Sequence, residues 1–234
     1  MKERNEEADG DEHVLRLSID AKATVKIGPF ARGGKSRVAT KAADHDFEAT
    51  ATVTPIGILF PASDELFLCA VTSKVTSDCL VDRLIAWWQT VKERFAHITT
   101  LVINLDNGPE SHSRRTQFMQ RLLEFAQRFH LIIRLVYYPP YHSKYNPIER
   151  CWGILEQHWN GALLDSVEAL IQYASTMTWK GKHPVVTLVT TTYHTGVKLT
   201  KAAMDLVESQ IERLPSLRKW FVDIDGSSPA RRDS

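Results

Sequence analysis

Residues 131–152, LIIRLVYYPPYHSKYNPIERCW, combine a strand, a loop and the start of a helix in one uninterrupted stretch. The apolar run at 131–137 is typical of a buried strand, and the Tyr-Pro-Pro-Tyr sequence after it ends that strand. Asn146 and Pro147 then favour the start of a helix, because Asn caps helices and Pro suits the first helical position. Glu149 therefore falls in the first turn of a helix that follows closely on a strand.

Two strands further upstream each end in an aspartate. Residues 14–19 (VLRLSI) lead into Asp20, and residues 101–105 (LVINL) lead into Asp106. If these strands are parallel neighbours, both carboxylates emerge at the carboxyl edge of the sheet, where open α/β sheets place their chemistry. The helix that carries Glu149 can pack across that edge, so the pattern predicts that Glu149 joins the two aspartates.

The rest of the chain alternates between strand and helix periodicities, which predicts an α/β domain with antiparallel strands first and parallel strands after. Pro55 predicts that its apolar run forms an edge strand or two short pieces. Asp165 and Glu168 suit a capping box at the start of a helix. Further strands are predicted at 23–27, 49–60, 66–72 and 183–191, and helices from about 77 to 91, 118 to 129, 146 to 159, 165 to 178 and 200 to 214.

The composition fits a single sizeable core. The chain has 234 residues, of which 43% are hydrophobic, and a formal net charge of +1. No apolar run approaches the roughly 18 residues needed to cross a bilayer, and the polar amino terminus is unlike a secretory signal. Cys69, Cys79 and Cys151 are spaced too widely for a C-x-x-C zinc pattern and argue against a disulfide framework. We therefore predict a cytoplasmic protein without a membrane partner.

Three carboxylates gathered at one edge repel one another unless a cation lies between them. Hard oxygen ligands suit Mg²⁺ or Mn²⁺, and two such ions can hold the attacking and leaving oxygens of a phosphoryl displacement. Taken singly, Asp20 and Asp106 also fit ordinary turns, and Glu149 also fits a plain helix start. Glu156 is a rival for the third carboxylate, because it lies seven residues after Glu149 on the same helix face.

A basic segment directly follows Asp20. Residues 22–41 hold six basic residues and no acidic one, which suits either contact with a phosphate backbone or a solvated loop. The loop before Glu149 flanks the same edge, although its tyrosines can equally pack on the following helix. The residues predicted to contact DNA are Lys22, Lys26, Arg32, Lys35, Arg37, Tyr141, His142, Lys144 and Arg150.

Several of these stretches resemble the signature blocks of DDE transposases from bacterial insertion sequences. Residues 105–110 (LDNGPE) and 138–153 (YPPYHSKYNPIERCWG) are similar to the second and third blocks. The wider set includes mariner-like transposases and retroviral integrases, and the Rhodopirellula-type transposase family is the nearest in pattern. Its first block is matched by SIDAK at 18–22 with KIG at 26–28 and RGG at 32–34, and its carboxyl-terminal part by WKG at 179–181 and GVKLT at 196–200.

The resemblance covers roughly residues 14–224 and aligns Asp20, Asp106 and Glu149 with the acidic triad. It implies a ribonuclease-H-like mixed sheet flanked by helices, with a small carboxyl-terminal helical and strand extension. It also implies two Mg²⁺ or Mn²⁺ ions as cofactors, and DNA at the transposon ends and the target as partners. The implied reaction is DNA cleavage followed by strand transfer. A second copy of the chain, forming a homodimer, is a further candidate partner. The alternatives are a nuclease of this fold that only hydrolyses, and a non-catalytic or truncated remnant that binds DNA.

The resemblance also implies a helix-turn-helix region ahead of the catalytic domain, for which the twenty or so residues before Asp20 leave no room. We therefore expect a fragment, a truncated reading frame, or DNA recognition that lies elsewhere. Residues 1–12 hold six acidic and two basic residues and are predicted to be a disordered acidic arm. The predicted division continues with a catalytic domain at 13–160, a carboxyl-terminal extension packed on it at 161–225, and a disordered tail at 226–234.

Overall fold

The computed structural model describes residues 2–30, 32–33, 48–139, 145–197, 199–215 and 217–226. Within these ranges the chain forms nine strands and six helices. The strands are β1 (Val14–Ala21), β2 (Val25–Ile27), β3 (Ala51–Phe60), β4 (Glu65–Val71), β5 (Thr100–Asp106), β6 (Ile132–Tyr138), β7 (Val185–Val189), β8 (Ile211–Arg213) and β9 (Phe221–Asp225). The helices are α1 (Lys2–Gly10), α2 (Ser77–Val91), α3 (Thr116–Phe129), α4 (Pro147–His158), α5 (Val167–Thr176) and α6 (Lys201–Ser209).

The strands form one mixed sheet in the order β7-β4-β3-β1-β5-β6-β9-β8, with β2 paired to β3. Strands β1, β5 and β6 are parallel, while β3 runs antiparallel to both β1 and β4. This confirms the predicted mixed α/β sheet with antiparallel strands first and parallel strands after. The parallel centre of the sheet places the ends of β1 and β5 at the same edge.

Helices cover both faces of the sheet, as the alternation of side chains along the strands requires. Helices α2 and α3 pack against a large apolar cluster that includes Leu17 of β1 and Ile103 of β5. Helices α4 and α5 pack against a second cluster that includes Leu66 and Leu68 of β4. The polar residue next to Leu17, Ser18, points the other way and contacts α4. Strand β1 therefore lies between two layers of helices, with α2 and α3 on one face of the sheet and α4 on the other.

Pro55 lies inside an unbroken ten-residue interior strand, so the prediction of an edge strand or two short pieces is wrong. Strand β3 pairs with β2 up to Val53 and with β1 from Ile56 onward. The missing N–H of Pro55 falls at this change of partner, one residue beyond the end of β1. The Pro55 carbonyl still accepts a hydrogen bond from the Lys22 N–H at 2.8 Å.

The acidic amino-terminal segment forms helix α1 and is not the disordered arm that its charge predicts. Arg16 of β1 donates two hydrogen bonds to the Asp9 carboxylate, each 2.7 Å long. Asn104 donates from its amide to the Asn5 side chain at 3.0 Å, and Ala8 is buried against the sheet. Polar partners on the sheet therefore hold a helix that has little apolar surface of its own.

The carboxyl-terminal elements differ from the prediction at their ends. Helix α5 is capped by Ser166, whose hydroxyl accepts from the Ala169 N–H, and not by Asp165. Helix α6 ends at Ser209 and does not continue to about residue 214, because Ile211 pairs with β9 and its side chain is buried in the core. Strands β7 and β9 extend the main sheet on opposite sides.

Of the tail predicted at 226–234, Gly226 is described, and its N–H donates to the Leu131 carbonyl at 3.0 Å; residues 227–234 lie outside the described residues. None of the helices described here is long and apolar enough to cross a membrane.

Candidate active site

Asp20 and Asp106 end up side by side because their strands are parallel neighbours. The ladder between β1 and β5 runs in register as far as Ile19 opposite Leu105, and each aspartate is the next residue along its strand. Both side chains therefore emerge at the same carboxyl edge of the sheet, as the sequence predicts. An apolar cavity of about 270 Å³ opens beside both aspartates, between the sheet and helices α2 and α3.

Helix α4 is fastened to β1 at the point where it begins. The Ile148 N–H at the start of the helix donates to the Ser18 hydroxyl at 3.1 Å, and Ser18 donates in turn to the Asn146 side-chain carbonyl. Asn146 occupies the capping position as predicted, but its side chain makes no capping bond to its own helix. It is fully buried, and its amide donates to the Ile19 carbonyl at 3.4 Å. These contacts place the first turn of α4, with Glu149, over the end of β1.

Trp152 makes the second link between α4 and β1. Its indole Nε1–H donates to Asp20 Oδ2 at 2.8 Å. The indole reaches Asp20 by crossing Gly57, which lies directly opposite Asp20 in the β1–β3 ladder. A Cβ atom at Gly57 would lie 2.8 Å from Trp152 Cη2 and 2.5 Å from Ile148 Cδ1. Glycine at this one position therefore allows the helix to approach the sheet closely enough for the hydrogen bond.

The three predicted carboxylates act on one another electrostatically. Burial, followed by the nearby carboxylates of Glu149 and Asp106, raises the pKa of Asp20 to about 7, although the Trp152 hydrogen bond acts to lower it. Burial also raises the pKa of Asp106, against the lowering effect of the Asn146 amide. Burial and then Asp106 raise the pKa of Glu149, which Lys22 partly offsets. Asp20, Asp106 and Glu149 therefore share one poorly solvated, negatively charged edge.

Glu156, the rival third carboxylate, has different partners. Its Oε1 pairs with Lys22 Nζ at 2.5 Å, and its Oε2 accepts from Trp159 Nε1 at 2.6 Å. Although burial acts to raise the pKa of Glu156, these partners hold it below its usual value. The Glu156 charge is thus compensated by two close partners, whereas Lys22 only partly offsets the effect of burial and Asp106 on the pKa of Glu149.

The donor set at this edge fits a hard divalent cation. Among the described residues, no three His, Cys, Asp or Glu side chains lie close enough together in this structure to hold a metal ion. Asp106 Oδ1 is nevertheless buried with no hydrogen-bond partner in the described part of the chain. A buried, unpaired carboxylate oxygen costs free energy unless a ligand satisfies it, and carboxylate oxygens are the ligands that Mg²⁺ and Mn²⁺ prefer. Asp20 and Glu149 would be its partner ligands.

The residues predicted to contact DNA are placed unevenly. Lys22 is paired with Glu156 and its side chain is only 11% exposed, so it is not an open phosphate contact. Lys26 and Arg150 are exposed, and Arg32 packs over Trp159 with its guanidinium 5.5 Å from the ring centre. The predicted contacts at Lys35, Arg37, Tyr141, His142 and Lys144 lie outside the described residues.

Three further residues belong to this site that were not predicted from the sequence: Ser18, Gly57 and Trp152. Trp152 fits the apolar face of an amphipathic helix, and nothing in that periodicity shows that its N–H finds a carboxylate. Gly57 interrupts a run of β-branched and apolar residues, which is the pattern expected where another backbone or a ring approaches closely. Gly57 is therefore the residue from which the close approach of α4 could have been predicted.

Comparison with solved structures finds several similar chains. The structure is similar to Mos1 transposase in a paired-end complex with the left transposon end, with a TM-score of 0.52 and 11% identity over 73% of this chain and 49% of that chain. A second Mos1 mariner paired-end complex, with Mn, has a TM-score of 0.49 at 11% identity, covering 69% of this chain and 46% of that one. The HTLV-2 integrase catalytic core domain in complex with magnesium, in its dimeric form, has a TM-score of 0.38 and 16% identity over 74% of this chain and 92% of that chain.

The chain spans about half the length of the Mos1 chains that it matches. At 11% identity the first of these likenesses shows the ribonuclease-H-like fold alone. A comparison with curated protein sequences finds no significant match. A family model described as Rhodopirellula transposase DDE domain matches residues 1–226, which confirms the resemblance of the signature blocks. This chain therefore belongs to the Rhodopirellula transposase DDE domain family.

Proposed function

We propose that this chain is the catalytic domain of a transposase that cleaves DNA phosphodiesters and joins the freed end to a target. Asp20, Asp106 and Glu149 hold two Mg²⁺ or Mn²⁺ ions in this proposal. The observation that supports it is the parallel pairing of β1 and β5, which brings Asp20 and Asp106 to one sheet edge, where the Ile148–Ser18 hydrogen bond holds the first turn of α4 with Glu149. The buried Asp106 Oδ1, unpartnered among the described residues, is the atom that most needs a cation.

When bound, two divalent ions supply an activated water and neutralise charge on the leaving oxygen. The chain's own residues prepare the site for that chemistry. The Asn146 amide stands next to Asp106, and the Trp152 indole holds Asp20, so two of the three carboxylates are oriented by neutral donors. The cavity beside the aspartates has a mainly apolar lining, and low local polarity strengthens electrostatic interactions at this edge.

The proposed reaction has two displacements at phosphorus. In the first, a water oxygen forms a bond to the phosphorus at the transposon end, and the bond to the 3′ oxygen breaks. The 3′ oxygen leaves as a hydroxyl. In the second, that 3′-hydroxyl attacks a phosphorus of the target strand, whose own 3′ oxygen leaves, so that one phosphodiester is exchanged for another.

Family membership supports this function, and the Mos1 chain with the same fold is seen with a transposon end. By analogy, the proposed DNA substrate here is the end of a mobile element, with a target duplex as the second substrate. A homodimer stays a prediction.

The test is metal-dependent nicking of supercoiled plasmid by the whole chain. Nicking should require Mg²⁺ or Mn²⁺, stop on chelation, and fall by at least about a hundredfold in Asp106→Asn and Glu149→Gln, because each removes a ligand charge. Glu156→Gln is the matched control on the same helix and should retain nicking. A second arm supplies a pre-cleaved 3′-hydroxyl end and a target.

Each arm distinguishes a competing function. Nicking without joining would favour a nuclease that only hydrolyses. Metal binding without nicking or joining would favour a non-catalytic remnant. Nicking that survives Asp106→Asn would contradict the proposed site.

A further inference from the structure

Helix α4 carries two indole–carboxylate hydrogen bonds one heptad apart. Trp152 Nε1 donates to Asp20 Oδ2 at 2.8 Å, and Trp159 Nε1 donates to Glu156 Oε2 at 2.6 Å. The second bond joins two residues of one helical segment, three positions apart. The first bond crosses 132 residues of sequence to reach the end of β1. Of these two indole bonds, the Trp152 bond is the one that links α4 to the carboxyl edge of the sheet.

The Trp152 indole is held firmly against the sheet. It is 5% exposed and belongs to the cluster between α4, α5 and the sheet. Its ring crosses the sheet at Gly57, where an added Cβ would lie 2.8 and 3.0 Å from two of its ring carbons. A ring packed in this way has little rotational freedom, so its N–H offers a fixed direction to the carboxylate beside it.

The two carboxylates differ in whether a charged group is among their hydrogen-bond donors. Glu156 receives an indole N–H and also the ammonium of Lys22, so its negative charge is compensated inside the chain. Asp20 receives the indole N–H without a paired cation among the described residues. A neutral donor stabilises an ionised carboxylate while leaving its charge available to a metal ion, and such outer partners orient metal ligands.

We propose that Trp152 is the positioning residue for Asp20: its indole N–H holds Oδ2 and fixes the plane of the carboxylate that binds the cation. The inference rests on the proposed function, since it takes Asp20 as a metal ligand. Trp152 itself touches neither metal nor DNA in this arrangement. It acts through Asp20, and Gly57 provides the space that allows it to do so.

The test uses the whole chain labelled with ¹⁵N at tryptophan, which gives an indole N–H signal for each of the six tryptophans. Trp152→Phe and Trp159→Phe assign the two signals of interest. On titration with diamagnetic Mg²⁺, the Trp152 signal should shift with the same midpoint as the rise in melting temperature. The Trp159 signal should stay in place, because Glu156 is not a ligand in this proposal.

Two outcomes would overturn the inference in distinguishable ways. A metal-induced rise in melting temperature with a stationary Trp152 signal would overturn the role of Trp152 and leave the metal site standing. No change in melting temperature or in any indole signal at millimolar Mg²⁺ and Mn²⁺ would overturn the proposed function and this inference together.

Substitution gives a second, independent readout. Trp152→Phe should weaken Mn²⁺ binding, measured by the paramagnetic resonance of free Mn²⁺, by about tenfold or more, as loss of an outer partner of a metal ligand does. Trp159→Phe should leave the Mn²⁺ dissociation constant within about twofold. A purely structural Trp152 would lower the melting temperature and leave the Mn²⁺ dissociation constant unchanged.

Where Trp152→Phe fails to fold, a benzothiophene analogue of Trp152 keeps the shape and removes only the N–H. It should weaken Mn²⁺ binding as Trp152→Phe is expected to, whereas 7-azatryptophan, which keeps the N–H, should restore it. Equal Mn²⁺ affinity with both analogues would contradict the positioning role.

Discussion

Gly57 lies directly opposite Asp20 in the antiparallel ladder of β1 and β3, and the Trp152 indole crosses Gly57 to donate to the Asp20 carboxylate. The approach of helix α4 to the carboxyl edge of the sheet thus depends on the absence of a side chain at one position. Burial of Asp20, its hydrogen bond and its nearness to Glu149 all follow from that approach.

The Gly57→Ala substitution should displace Trp152 and Ile148, because the added methyl would lie 2.5 Å from Ile148 Cδ1. Overpacking of this kind lowers the free energy of unfolding by about 1–3 kcal/mol. We also expect weaker Mn²⁺ binding, since the indole loses its place beside Asp20. Gly153→Ala is the control, because Gly153 lies in the same helix with no atom within 4 Å of an added Cβ. It should stabilise the helix by about 0.5–1 kcal/mol. Equal effects of the two substitutions, measured by urea denaturation, would contradict this account of Gly57.

Divalent metal should raise the melting temperature, because a cation relieves repulsion among the carboxylates only in the folded state. Glu149→Gln should lose most of the rise produced by millimolar Mn²⁺, while Glu156→Gln should keep it. The reason is that Glu156 is already compensated by Lys22 and Trp159. The measurement is a thermal melt with and without Mn²⁺ for each variant. The reverse pattern would make Glu156 the third ligand.

Stability without metal should fall as the pH rises through neutrality. Burial and the neighbouring carboxylates raise the pKa of Asp20 from 3.8 to about 7. Because the folded pKa lies above the unfolded one, the contribution of Asp20 to stability is complete below about pH 4 and is lost as the pH rises through about 7. The melting temperature of Asp20→Asn relative to the parent chain should therefore increase over that window and level off above it.

Saturating Mg²⁺ supplies the control for the pH experiment. It should remove the disadvantage of the parent chain at high pH, because a bound cation favours the ionised carboxylate. A difference between Asp20→Asn and the parent chain that does not vary with pH would contradict the charge assignment at this edge.

DNA affinity should depend steeply on salt through the basic residues that follow β1. Replacing Lys26, Lys35 and Arg37 with Ala should flatten the slope of log affinity against log salt by about three units, at roughly 0.9 for each phosphate contact. Lys22→Ala added to this triple variant tests the ion pair between Lys22 and Glu156. If the pair is kept when DNA binds, the slope should change little; if a DNA phosphate replaces Glu156 as the partner of Lys22, the slope should flatten by about one further unit.

The control for this experiment replaces Lys92 and Arg128, which are exposed near the opposite edge of the sheet, after α2 and late in α3. Their loss should leave the slope unchanged. An unaltered slope in the triple variant would remove the basic segment from the DNA path without affecting the proposed metal site.

The parts of the fold that depend on local periodicity could be predicted from the sequence. The strands that lead into Asp20 and Asp106 and the helix start before Glu149 follow from apolar patterning and turn chemistry. These features are local, so a short window of sequence contains them. The family resemblance of the signature blocks then identified the fold.

The features that could not be predicted depend on partners distant in sequence. Strand β3 tolerates Pro55 because its pairing partner changes from β2 to β1 at that position. Helix α1 forms because Arg16 and Asn104 of the sheet supply hydrogen-bond partners for its polar side chains. The Asn146 side chain makes no capping bond, because its carbonyl oxygen accepts a hydrogen bond from the Ser18 hydroxyl, 128 residues away in the sequence. Single-segment propensities contain no information about such contacts.

The measurement that tests the central claim most directly is the anomalous diffraction of Mn²⁺ in crystals of the whole chain. We expect Mn²⁺ density in contact with carboxylate oxygens of Asp20, Asp106 and Glu149, with Asp106 Oδ1 as a ligand and Trp152 Nε1 still bonded to Asp20. The Asp106→Asn variant should lose that density under the same soak. Well-ordered carboxylates at this edge without Mn²⁺ density at millimolar concentration, or Mn²⁺ bound by Glu156 in place of Glu149, would contradict the account.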